Sequence, residues 1–232
     1  MPIGPARMPL FDHLGELRMR LVRIVVSLFI AMCVFYMATP TIIQFMCLPV
    51  ADYLPKGDDG LVVLNVLDVF GSFTIRFKVA LWASVVACMP IILWQILAFF
   101  LPALKPNERK WFIPTFAVGV LLFMFGTVFC YLFILHPAVQ WLTDQAGGFA
   151  QILPDAKSWV DVIINFELCF GVAFELPLVV FYLVIFDIVP YKKLRSSWRT
   201  VYIVLMVISA MATPDASPVT MLLMFGAMIV LY

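Results

Sequence analysis

Charge is what this chain has least of. Only 12% of its 232 residues are Asp, Glu, Lys or Arg, against 64% hydrophobic, and the mean hydropathy is +1.06. A soluble domain is about a quarter charged and half apolar. A globule of 26.3 kDa cannot enclose such a surplus, so lipid must solvate much of it. Histidine is scarce too. His13 and His136 are the only two, neither belongs to an HExxH motif, and no serine sits in a GxSxG motif. Two histidines near opposite membrane faces cannot make a transmembrane haem site, and an intramembrane enzyme would need a nucleophile–base pair or a set of metal ligands. The five cysteines (Cys33, Cys47, Cys88, Cys130, Cys169) form no CxxC and read as small hydrophobes. No nucleotide-binding loop is present and no cofactor is implied. A net charge of +1 gives no basic footprint for nucleic acid. These absences point away from an enzyme and toward an integral membrane protein.

What the chain does have is long apolar runs. Spans are expected at about 21–39, 79–101, 112–135 and 162–186, followed by two short pieces at 198–213 and 218–232 around the turn TPDASP. The fold class is all-α, six transmembrane helices in a single membrane domain covering 1–232. Lys and Arg set the orientation. Eleven (Arg7, Arg18, Arg20, Arg23, Lys105, Arg109, Lys110, Lys192, Lys193, Arg195, Arg199) fall on one side, and Lys56, Arg76, Lys78 and Lys157 on the other. The positive-inside rule makes the protein N-in and C-in. The first run is of full span length without a small-residue cleavage site, which predicts a retained span rather than a secretory signal. The last run reaches Tyr232 with no flanking charge, as if a tail or part of that helix were missing. The outward loops, 40–73 and 136–161, are expected to carry short helices on the membrane face.

The last two spans are short. About 15 residues rise roughly 23 Å, less than the roughly 30 Å hydrocarbon core. Such a hairpin either thins the bilayer or is shielded by longer helices.

Four acids stand out. Glu108 ends the segment LPALKPNE on a loop stiffened by Pro102 and Pro106, with Lys105, Arg109 and Lys110 in reach as exposed partners. Glu16 lies in a segment, 1–20, where Leu10, Leu14 and Leu17, continued by Leu21, recur at helical spacing along the membrane surface. Its local partner is Arg20, four residues on. Glu175 sits mid-span, where an acid costs about 2.5–3.5 kcal/mol on insertion scales. Pro177, two residues later, removes a backbone hydrogen bond around Ala173. That position suits proton handling or a docking point for a partner helix. Glu167, eight residues earlier, lies near the same face, and either neighbouring helices satisfy it or it reaches the outer interface.

Four segments in order, HLGELRMR at 13–20, AFFLPALKPNER at 98–109, FGVAFELP at 170–177 and ATPD at 212–215, resemble the TatC family of the twin-arginine protein translocase. The resemblance runs from Leu10 to Tyr232. It implies a concave bundle in a bacterial, archaeal or organellar cytoplasmic membrane that exports folded proteins independently of Sec, driven by the proton-motive force. It implies binding of twin-arginine signal peptides at the cytoplasmic face by Glu16, Phe99, Leu104 and Glu108. Glu175 and Asp215 would meet single-helix partners of the TatA and TatB type, with self-association and lipid contact besides. Pro49 matches a family proline with a structural role. Met221 stands near where the family often has glutamine, and Glu167 has no counterpart in the family pattern. The alternative is a proton-coupled secondary transporter or channel using Glu175 and Glu167. Such a protein normally shows repeat symmetry or broken helices, and the sequence reads as having neither.

Overall fold

The computed structural model describes residues 10–101, 109–145, 147, 155–185, 190, 196–213 and 217–232. Among these the architecture is all-helical, with four long apolar helical segments and two short ones.

Helix α1, Leu10–Cys47, is one continuous helix. The surface segment expected at 1–20 and the span expected at 21–39 are therefore a single rod over the described residues. Nothing between Leu10 and Cys47 breaks it, not even Pro40. Pro40 cannot donate to the carbonyl of Tyr36, but the hydroxyl of Thr39 donates to that same oxygen at 2.9 Å. A 3-10 turn, Leu48–Tyr53, follows with Pro49 in its first turn, where a missing N–H costs nothing. Helix α2, Gly71–Phe100, returns antiparallel to α1 and is α1's main support.

Helix α3, Phe112–Phe129, widens into a π turn at Cys130–Ile134 and continues as α4, Leu135–Asp144. The third span is thus longer than expected, and α4 occupies part of what reads as an outward loop. Pro137 cannot bond back to Phe133, and a wider turn absorbs that loss. Helix α5, Ala156–Ala173, stops at Phe174 and Glu175 and resumes as α6, Leu176–Ile185. The fourth span is therefore divided at the turn that Pro177 is expected to open, and the reading of no broken helices is corrected there. Pro177 removes the donor that would reach Ala173, although α2 runs through Pro90 unbroken. Helices α7, Trp198–Ala212, and α8, Pro218–Leu231, have 15 and 14 residues and form the short hairpin.

Glycines set the spacing of α3 on α5. A Cβ on Gly126 would stand 2.8 Å from the carbonyl oxygen of Phe170, and one on Gly171 would stand 2.7 Å from the Phe123 ring. In lipid, such close backbone contact is what binds helices together. Ser209 of α7 donates to its own Leu205 carbonyl at 2.8 Å and lies 3.3 Å from the sulfur of Met228 in α8. Ser217 caps α8 by accepting from the amide of Thr220.

The end of the bundle reached by the C-terminus of α1 is tied by polar pairs. Gln44 donates to the carbonyl of Val62 at 3.0 Å and accepts its amide at 3.1 Å. Lys78 of α2 reaches both oxygens of Asp161 in α5, at 2.6 and 2.7 Å. Tyr131 donates to the carbonyl of Phe45 at 2.7 Å. The tight turn between them closes on Gly60, at φ 72°. Asp155 caps α5, accepting from the hydroxyl of Ser158 at 2.7 Å and from its amide at 3.0 Å. Those bonds, the hydroxyl's first, hold its carboxyl below the usual carboxylate range.

Candidate functional site

The opposite end of the bundle gathers the start of α1, the end of α2, the start of α3 and the end of α6. Tyr182 of α6 and Thr115 of α3 share a hydrogen bond of 2.8 Å there, and Trp94 of α2 packs edge-on against Phe112 and Phe116. Glu16 and Arg20, one turn apart on α1, form an ion pair in which both Nε and Nη2 of the guanidinium donate to Oε1, Nε at 3.0 Å. The remaining nitrogen, Nη1, reaches Oε1 of Gln95 on α2 at 3.4 Å. Glu16 Oε2 is buried and has no hydrogen-bond partner among the described residues.

Gln95 and Phe99 lie four residues apart on α2 and share a helical face. The Arg20 bridge therefore brings the N-terminal motif beside the stretch that carries Phe99, which is half-buried with its ring against Phe100. The spacing of Glu16 and Arg20 predicts their pairing. Gln95 is a member that the sequence reading misses; its one signal was a polar residue inside an apolar run. Leu104 and Glu108 lie outside the described residues, as does Asp215. Arg109 and Lys110 open the approach to α3 and are exposed.

Glu175 occupies the break between α5 and α6. It is 8% exposed, and both carboxyl oxygens are buried without a hydrogen-bond partner among the described residues. It points inward: Oε2 lies 3.3 Å from where a Cβ on Gly119 of α3 would be, with Leu93 of α2 and Leu178 beside it. Gly119 thus provides the room for a carboxyl group. A groove of about 970 Å³ runs along the other side of the broken helix, walled by Leu168, Val172 and Leu176 against Val201, Leu205 and Ile208 of α7. Its lining is almost wholly apolar, and Glu175 does not contribute to it. Glu167 is 3% exposed, packed inside the bundle rather than at an interface. No group of three or more metal-ligating side chains occurs among the described residues.

A polytopic helical membrane protein with an ion-paired carboxylate at one bundle end and, at a helix break, a buried carboxyl group unpartnered among the described residues is the class that fold and site define. The family model for the Sec-independent protein translocase protein TatC matches residues 12–226. The chain is 34% identical to the Sec-independent protein translocase protein TatC of Deinococcus radiodurans, covering 98% of this chain and 84% of that one. It is likewise 34% identical to the TatC protein of Frankia casuarinae, covering 99% of this chain and 65% of the relative. The crystal structure of a twin-arginine translocase receptor, TatC, in DDM superposes with a TM-score of 0.77 at 27% identity, covering 95% of this chain and 96% of that one. The chain belongs to the TatC family.

Proposed function

We propose that this multi-pass membrane protein is the receptor of a twin-arginine translocase, capturing signal peptides at the end of the bundle that holds Glu16 and Phe99. The observation that carries the reading is the Glu16–Arg20–Gln95 bridge, which sets a carboxylate from α1 next to the Phe99 face of α2. A pair of guanidiniums seeks carboxylates in fork geometry, and an apolar signal segment seeks an apolar flank. Glu16 and Glu108 supply the acids, with Phe99 and Leu104 as the flank. That end faces the cytoplasm under the positive-inside rule.

The reading extends to the later steps, with the short hairpin in its support. Single-helix partners of the TatA and TatB type assemble near Glu175, Asp215 and the short hairpin. The hairpin's helices, at 15 and 14 residues, rise only about 21–23 Å and favour a thinned bilayer around them. The proton-motive force drives cargo passage. The fourth span's break at Glu175 also suits the transporter alternative, yet among the described residues no repeat mirrors it. Proton or solute flux in proteoliposomes without any cargo would favour that alternative.

The receptor reading is tested by peptide binding. Glu16→Gln and Glu108→Ala should each weaken binding of a paired-arginine signal peptide by tenfold or more. Unchanged binding of paired-arginine and paired-lysine peptides by both variants would remove the receptor assignment.

A further inference from the structure

Resting on that reading, we propose that Arg20 is a resident stand-in for the ligand: its guanidinium holds Glu16 while the site is empty and hands the carboxylate over to an incoming guanidinium, moving onto Gln95. The side chains of Arg20 and Glu16 are only 17% and 24% exposed, so this carboxylate is largely withdrawn from water. An unpaired acid there would be costly, and a receptor that must wait empty needs a counter-ion of its own. Arg20 supplies one of the same chemistry as the ligand, with two of its nitrogens on a single oxygen. Its third nitrogen already touches Gln95 at 3.4 Å, longer than a well-formed bond, so a short swing completes that contact while releasing Glu16. Oε2, unpartnered among the described residues, is the atom at which exchange begins.

The exchange explains how one carboxylate can be selective. An arginine that replaces Arg20 trades fork for fork at little net cost. A lysine must evict a two-point guanidinium contact and return a single point charge. Discrimination then comes from what the ligand displaces as much as from what it meets.

The test is binding of synthetic paired-arginine and paired-lysine signal peptides to the full chain in nanodiscs, with thermal melting as the folding control. Arg20→Gln should bind the paired-arginine peptide about threefold or more tighter and the paired-lysine peptide tighter still, so that the ratio between them narrows. Gln95→Leu, which leaves Arg20 nowhere to go, should weaken paired-arginine binding about fivefold without lowering the melting temperature. If Arg20→Gln fails to fold, Arg20→Lys tests the same point: it keeps the charge, loses the fork, and should also narrow the ratio. An unchanged ratio in the folded Arg20 variants, or unchanged binding in Gln95→Leu, overturns the exchange. Glu16→Gln separates the two levels. If Glu16→Gln loses binding while the Arg20 variants keep the wild-type ratio, the receptor stands and the exchange falls. If Glu16→Gln binds as wild type does, both fall.

Discussion

The two ends of the bundle satisfy their polar groups differently. At the end where α1 gives way to its 3-10 turn, Gln44 is matched twice by Val62, Lys78 meets both oxygens of Asp161, and Asp155 is bonded twice by Ser158. At the other end, among the described residues, Glu16 has one oxygen occupied and one buried without a partner, and deeper in the bundle Glu175 has both oxygens in that condition. Buried polar groups are nearly always paired, so the unpaired ones mark where the fold gives up stability for something else. The clamped side leaves one such group among the described residues, Trp82 Nε1 a turn from Lys78; the carboxyl oxygens without a partner, a reserve capacity that can take up a cation, lie at the other end and deeper in the bundle.

The comparison breaks most severely if the frame common to both ends is lost. Gly126→Leu pushes a side chain into the Phe170 carbonyl, where a Cβ alone would already be 2.8 Å away. The cost exceeds the usual 1–3 kcal/mol of overpacking, and no folded protein should elute from size exclusion. Substitution at Glu175 sharpens it. If Glu175 is reserve capacity, Glu175→Leu beside Leu93, Leu178 and Gly119 should raise stability by about 1–3 kcal/mol while lowering cargo export. A fall in melting temperature would make Glu175 part of the structural frame instead. Lys78→Met acts on the clamp. Both partners are about a third exposed, at 38% and 32%, so the loss should be about 1 kcal/mol or less, with signal-peptide binding unaltered. Altered peptide binding in that variant would couple the two ends and dissolve the distinction.

The centres of the spans were legible because apolar runs in lipid admit few alternatives. Their limits were not, and the prolines show why. Pro40 reads as a helix end and Pro177 as a kink, yet a proline's missing donor does not by itself decide where a helix stops. Thr39 donates to the oxygen that Pro40 leaves free and α1 continues, α2 runs through Pro90 without such a donor among the described residues, and ahead of Pro177 the helix breaks. The site was legible to the extent that it is local. Glu16 and Arg20 are one turn apart, so spacing announces the pair. Gln95 is 75 residues from Arg20, and only the packing of α1 on α2 brings it there. The mid-span position of Glu175 was plain from its surroundings in sequence. Its direction, toward Gly119 and away from the apolar groove, depends on the turn lost at Phe174 and Glu175.

The central claim is that the end with reserve capacity is the receptor. A photoreactive residue placed at Phe99, and in a second protein at Phe73 near the clamped end, tests it directly with a labelled paired-arginine signal peptide. The account predicts an adduct at position 99 that disappears in Glu16→Gln, and none at position 73. Equal labelling at both positions, or labelling at 99 that survives Glu16→Gln, would contradict it.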